Sequence, residues 1–123
     1  MLFRSHEKDV EFDYAPFGIT GLETGLALSL TQLYHTKHLT LSDVISKYTV
    51  NPAKLLNLPK GTLTEGSDAD VTVFDPDAEW VFDVNSSPSK SSNTPFNGWT
   101  LKGRPACTIV NGKIAWQTDQ VTT

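Results

Sequence analysis

The order of patterns along the chain predicts an α+β arrangement, or pieces of two separate domains, with two or three helices first and four or so short strands after them. Three observations carry this. Leucines at 22, 26, 30 and 33 fall at helical spacing. Residues 70–75, DVTVFD, are short, β-branched and bounded by Asp and Pro, which is strand character. Asn111-Gly112 separates two apolar runs and is the pair that favours the tight turn of a β-hairpin.

The first fourteen residues are polar and irregular. In APFGITGLET (15–24), Gly18 and Gly21 permit a turn, and Thr20 and Glu23 have the spacing of a capping box. A helix is therefore expected from Gly21 to about His35, with Ala27 and Tyr34 beside its leucines. Thr40 and Asp43 repeat the capping spacing and open a second helix whose inward face is Leu41, Val44, Ile45 and Tyr48. Asn51-Pro52 reads as an N-cap followed by proline at the first helical position, giving a short third helix over Pro52 to Asn57. Pro59 and Gly61 stop it.

Strand character begins after Gly61. Residues 70–75 form one expected strand, and Trp80-Val81-Phe82 has similar character. Residues 85–98 are rich in Ser, Pro, Asn and Gly and are expected to be a loop. Ala106 to Val110 and Lys113 to Trp116 flank the hairpin turn, and the tail from Asp119 to Thr123 is expected to fray.

At 123 residues, with 38% hydrophobic and 20% charged residues, the composition is that of a soluble globular protein. A net charge of -4 and a pI of about 5.2 give no basic footprint for nucleic acid. No apolar stretch approaches the roughly 20 residues of a membrane span. The opening MLFRSHEKD lacks the apolar core of a signal peptide. The lone Cys107 cannot form an internal disulfide, which fits a reducing cytoplasm, the expected location.

Reactive constellations are sparse. His35 and His38 have a spacing that can share a metal, but no Asp, Glu or Cys is placed to complete the set, and polar residues suit a helix end. Asp68, Asp70, Asp75, Asp77 and Glu79 lack the register of a calcium loop and read as solvated strand ends. Cys107 alternates within an apolar strand, as a buried inert thiol would. Ser89 to Thr94 lacks a phosphate-loop register and reads as a surface turn, with Pro95 to Trp99 as a hydrophobic anchor beneath it. In Pro16-Phe17-Gly18, the N–H groups of Phe17 and Gly18 are candidates to face a small carboxylate or carbonyl near a helix N-terminus.

Several stretches together resemble the bacterial-type dihydroorotases. They are Glu7-Lys8 with EFDYAPFGITGLET, the run from LTLSDVISKYTVNPAKLL through TEGSDADVTVFDPDAEW, and SKSSNTPFNGWTLKGRPACTIVNGKIAW. The pattern from Gly61 to Val71 is shared by amidohydrolases generally; APFGITGLET and NTPFNGW are more specific. The related allantoinases carry a different loop before this helix, and Leu-Thr-Pro-Tyr where this chain has Asn93-Thr94-Pro95-Phe96. The resemblance covers residues 7–117.

It implies an α/β fold, namely the C-terminal fragment of a metal-dependent (β/α)8 barrel with part of a small β-sandwich domain. Residues 1–57 would be the end of the barrel, 58–117 the C-terminal share of the β domain and 118–123 a disordered tail. Phe17 and Gly18 would contact dihydroorotate, in part through the backbone, on the face where barrel enzymes place their active sites. The family reaction, zinc-dependent hydrolysis or closure of a cyclic amide in pyrimidine biosynthesis, uses histidine ligands on an earlier strand and an Asp that shuttles the proton. Counting back from Glu7-Lys8 places that Asp before Met1 and the family's substrate-binding histidine near Phe3, with His6 out of register. The expectation is that this chain supplies no catalytic residue and no metal ligand, holds no zinc and is inactive alone. Its ligands would be dihydroorotate and carbamoyl aspartate, its partners a second copy or aspartate carbamoyltransferase. The alternatives are another cyclic amidohydrolase, an allantoinase or dihydropyrimidinase, or a non-catalytic dihydroorotase-like partner of the transferase.

Overall fold

A computed structural model describes residues 10–15 and 17–118; expectations that fall on residues 1–9, Pro16 and 119–123, including His6, Glu7-Lys8 and the tail, lie outside them. After a short turn at Phe12–Tyr14, helix α1 runs over Gly25–Ser29 and widens into a π-helical turn over Leu30–Tyr34. The expected start at Gly21 is thus four residues early. Thr24 takes the N-cap position without a side-chain cap, while Thr20 is engaged elsewhere. The leucine stripe is also divided. Leu22 lies in the turn before α1 and is fully exposed, whereas Leu30 is completely buried.

Helix α2, Leu41–Tyr48, starts as its sequence predicts. The Asp43 N–H donates to Thr40 Oγ1 at 3.2 Å, and the Thr40 N–H donates to Asp43 Oδ2 at 3.2 Å. The Thr40 hydroxyl also donates to Asp43 Oδ2 at 2.6 Å, and this bond, followed by the one from the Thr40 N–H, holds the Asp43 carboxyl below its ordinary value. Helix α3, Val50–Leu55, begins two residues before the Pro52 start expected from Asn51-Pro52. Pro52 still falls in the first turn, where its missing N–H has no helical partner to lose. At the other end Asn57 adopts φ 54°, so that the Asn57 and Leu58 N–H groups reach back to the carbonyls of Lys54 and Ala53. That is a Schellman closure.

The sheet is antiparallel, in the order β1-β2-β3, from strands Val71–Val81, Thr100–Val110 and Lys113–Gln117. The two strands expected before residue 85 are one strand. Asp75-Pro76-Asp77 reads as a break, but Asp75 Oδ1 accepts the N–H groups of Asp77 and Ala78 at 2.9 and 3.2 Å. The register against β2 shifts between Asp75 and Glu79, and this bulge admits Pro76 without a lost ladder bond. Asn111 and Gly112, at φ 50° and 74°, turn β2 into β3 as expected.

The helices reach the sheet at Gly103. There φ is +95°, and an added β-carbon would stand 2.3 Å from Leu30 Cδ1. Ala27, Phe82 and Leu101 form the adjoining core, with Leu28, Trp80, Val84 and Phe96 packed on it. The Trp80 indole N–H donates to the Gly103 carbonyl at 3.1 Å. Thr31 Oγ1 accepts the Lys102 N–H at 2.8 Å, tying the π turn to β2. Phe96 meets Trp99 edge-on at 5.3 Å, the expected anchor. Cys107 is only half-buried, because its cross-strand neighbours Val73 and Gln117 are themselves exposed.

Candidate functional site

The approach to α1 offers backbone more than side-chain chemistry. Phe17 has 91% of its surface exposed. Gly18 holds φ +100°, a conformation that glycine adopts without steric cost, with open space where a β-carbon would stand. Among the described residues no partner is found for the N–H of either.

Beyond Gly18 the chain is held firmly from a distance. Asn93 Nδ2 donates to the Gly18 carbonyl at 2.7 Å. The Thr20 N–H and Oγ1 donate to the Asn93 carbonyl at 2.9 and 3.3 Å. The capping box expected from Thr20 and Glu23 therefore does not form. Thr20 pairs with Asn93, and Glu23 Oε1 accepts the Ser87 hydroxyl at 2.7 Å. Between these two fastenings lies a cleft of about 370 Å³, lined by Thr20, Glu23, Thr24, Phe82, Ser87 and others. Thr24 is buried, and its Oγ1 has no partner among the described residues.

The segment doing the fastening is internally ordered. Ser87 Oγ accepts the Ser89 N–H at 3.1 Å, Ser89 Oγ the Ser91 N–H at 3.3 Å and Ser91 Oγ the Asn93 N–H at 3.4 Å. Ser91 is buried. The expected surface turn over Ser89 to Thr94 is thus a strap laid across the Phe17–Thr20 loop. Sequence reading missed Asn93 as a site residue. The signal was the alternation Ser87, Ser89, Ser91, Asn93, since short hydroxyl side chains capture the N–H two residues on.

The other candidate side chains have local structural partners. His35 Nε2 is hydrogen-bonded to the Pro76 carbonyl at 2.8 Å and lies 3.8 Å from Asp77 Oδ1, while His38 is exposed. Lys60 Nζ sits 2.8 Å from Asp68 Oδ2 and 2.6 Å from Asp70 Oδ2, and these bonds, Asp68 first, raise its pKa above the ordinary lysine range. Lys60, then the Asn111 N–H, hold the Asp70 carboxyl below its usual value. Glu79 lies 3.9 Å from Lys102. Among the described residues no three or more His, Cys, Asp or Glu gather as a metal site. No described helix is long and apolar enough to cross a membrane.

The profile of the amidohydrolase family matches residues 13–115. The chain belongs to the amidohydrolase family. Within these amidohydrolases it is 56% identical over 113 residues to the dihydroorotase of Syntrophus aciditrophicus, covering 92% of this chain and 26% of that protein. It is 49% identical over 110 residues to the dihydroorotase of Solibacter usitatus, covering 89% and 26%. Among solved amidohydrolases, the L-hydantoinase (dihydropyrimidinase) from Arthrobacter aurescens superposes with a TM-score of 0.79 at 33% identity, over 89% of this chain and 25% of that one. The dihydropyrimidinase from Brevibacillus agri shares the fold with a TM-score of 0.86 at 23% identity, over 96% and 27%. The amidohydrolase described here thus spans about a quarter of the length of the relatives it matches.

Proposed function

We propose that this chain supplies the substrate loop and terminal helices of a dihydroorotase, an enzyme that reversibly opens the ring amide of dihydroorotate to carbamoyl aspartate. The observation that carries the reading is the Phe17–Thr20 loop, shaped by Gly18 and Asn93, in a chain 56% identical to a dihydroorotase over 113 residues. The Phe17 and Gly18 N–H groups donate to the ligand's carboxylate or ring carbonyl, and the Phe17 ring borders it. The loop's part is orientation: it holds a small anionic ring at a fixed attitude while other groups move protons. Residues 1–57 then belong to the end of a barrel and 58–117 to a small β domain.

The described residues do not fit a zinc centre, since their carboxylates and imidazoles are dispersed among structural partners. Zinc and the proton-shuttling Asp belong, in this reading, to other parts of the enzyme. A second reading, a hydantoinase or dihydropyrimidinase, draws on the 33% identity to the Arthrobacter aurescens enzyme.

The test is a graft. The chain replaces the matching quarter of the Syntrophus aciditrophicus dihydroorotase, and the product is assayed with dihydroorotate, hydantoin and dihydrouracil. Turnover of dihydroorotate is expected, and Phe17→Ala should lower kcat/KM for it about ten-fold or more, as a lost orienting contact does. Preference for hydantoin or dihydrouracil would establish the second reading instead, and indifference to Phe17→Ala would remove the loop from the site.

A further inference from the structure

We infer that Asn93 is a positioning residue for ligand binding at the Phe17–Gly18 loop: it does not touch the ligand but sets the backbone that does. The inference rests on the proposed dihydroorotase site. A loop that recognises through its amides must have those amides aimed, and here nothing local aims them. Gly18 has no side chain to restrict its backbone, and a β-carbon placed on it would meet nothing within 4 Å. Asn93 provides the missing constraint on both sides of Ile19. Its side-chain Nδ2 fixes the Gly18 carbonyl at 2.7 Å, and its backbone carbonyl fixes the Thr20 N–H at 2.9 Å.

The residue type matters. The Gly18 carbonyl can only accept, so a donor must face it. An Asp of the same shape would present a second acceptor and push the carbonyl away. Asn93 is itself held from behind. Its N–H is taken by Ser91 Oγ of the buried Ser91, and the far end of the strap is tied by Ser87 to Glu23. The constraint therefore runs through an ordered segment into the start of α1.

Asn93→Asp is the informative variant, because it removes the Nδ2 donor and keeps the backbone carbonyl that Thr20 uses. Two measurements decide the matter. In the 123-residue chain the Thr20 N–H keeps its own acceptor, but the loop that carries it opens more easily without the Nδ2–Gly18 bond, so amide hydrogen exchange at Thr20 should quicken roughly three- to ten-fold, the scale of that one lost bond. In the grafted enzyme, KM for dihydroorotate should rise about ten-fold with kcat changed by no more than about two-fold, the pattern of lost binding without lost chemistry. Asn93→Gln, which retains a donor, should recover part of the KM. Unchanged Thr20 exchange would overturn the inference. So would quickened exchange with KM unaltered, which would make Asn93 merely structural. If the unsubstituted graft turns over no dihydroorotate, the functional reading falls, and the exchange measurement still decides whether Asn93 shapes the loop.

Discussion

Gly103 shows how much a single position can decide. It combines a left-handed backbone at φ +95° with direct contact against Leu30, which has 0% of its surface exposed. Any side chain there strains the strand and displaces the residue that seats the helices. Gly103→Ala should therefore destabilise the chain by about 1–3 kcal/mol through overpacking, with the backbone strain added to that. Chemical denaturation followed by tryptophan fluorescence measures it, because Trp80 bonds the same residue's carbonyl. An unchanged midpoint would mean that the helices do not rest on β2 in solution. Nothing in the sequence distinguishes Gly103 from a turn glycine. Its role follows from contact with Leu30, far back along the chain, and contacts at that separation leave no local pattern.

Whole elements were legible where the determining chemistry is local. The start of α2 follows from Thr40 and Asp43 alone, and the β2–β3 turn from Asn111-Gly112 alone. The same spacing at Thr20 and Glu23 misled, because Asn93 and Ser87 compete successfully for those side chains. Likewise, Asp75-Pro76-Asp77 hides a continuous strand, since a bulge and a break carry the same residues. In the candidate loop, the turn at Gly18 was legible from glycine alone, whereas its fastening by Asn93 was not, because the serine alternation that orders the strap does not say where the strap lands. The Lys60 clamp joins two such elements, the loop before β1 and the β2–β3 turn, through Asp70 and the Asn111 N–H. Its dependence on pH has a definite sign. The Asp70 carboxyl is held below its ordinary 3.8 in the folded state, so its contribution is complete above that value and is lost as pH falls through the lower folded one. Lys60 is raised above its ordinary 10.5, so its contribution persists through the neutral range and is lost only under strongly alkaline conditions. Acid titration of thermal stability should thus show a shallower decline in Asp70→Asn than in the unsubstituted chain. Parallel curves for the two would show that the clamp does not form.

For the molecule as a whole, the decisive quantity is apolar surface left outside. Leu22 has 104% relative exposure, Phe17 is nearly bare, and Leu55, Leu56, Leu58 and Leu63 stand exposed around the end of α3. The four leucines fall within nine residues of one another along the chain, and where such side chains cluster on a surface they favour association. The purified 123-residue chain should therefore associate as its concentration rises, and sedimentation velocity should show an increasing weight-average mass. A monomer at all concentrations would mean that these side chains fold inward in solution. The strap has a consequence of another kind, in the order of manufacture. Its bonds to Gly18 and Thr20 span 73 to 75 positions. A ribosome releases Phe17 and Gly18 long before it adds Asn93, and such distant pairings are completed late. A nascent chain halted before Asn93 lacks the partner of both fastenings, and it lacks Leu101 and Gly103, against which the first helix packs. The loop's final geometry thus reports that translation has passed the strap.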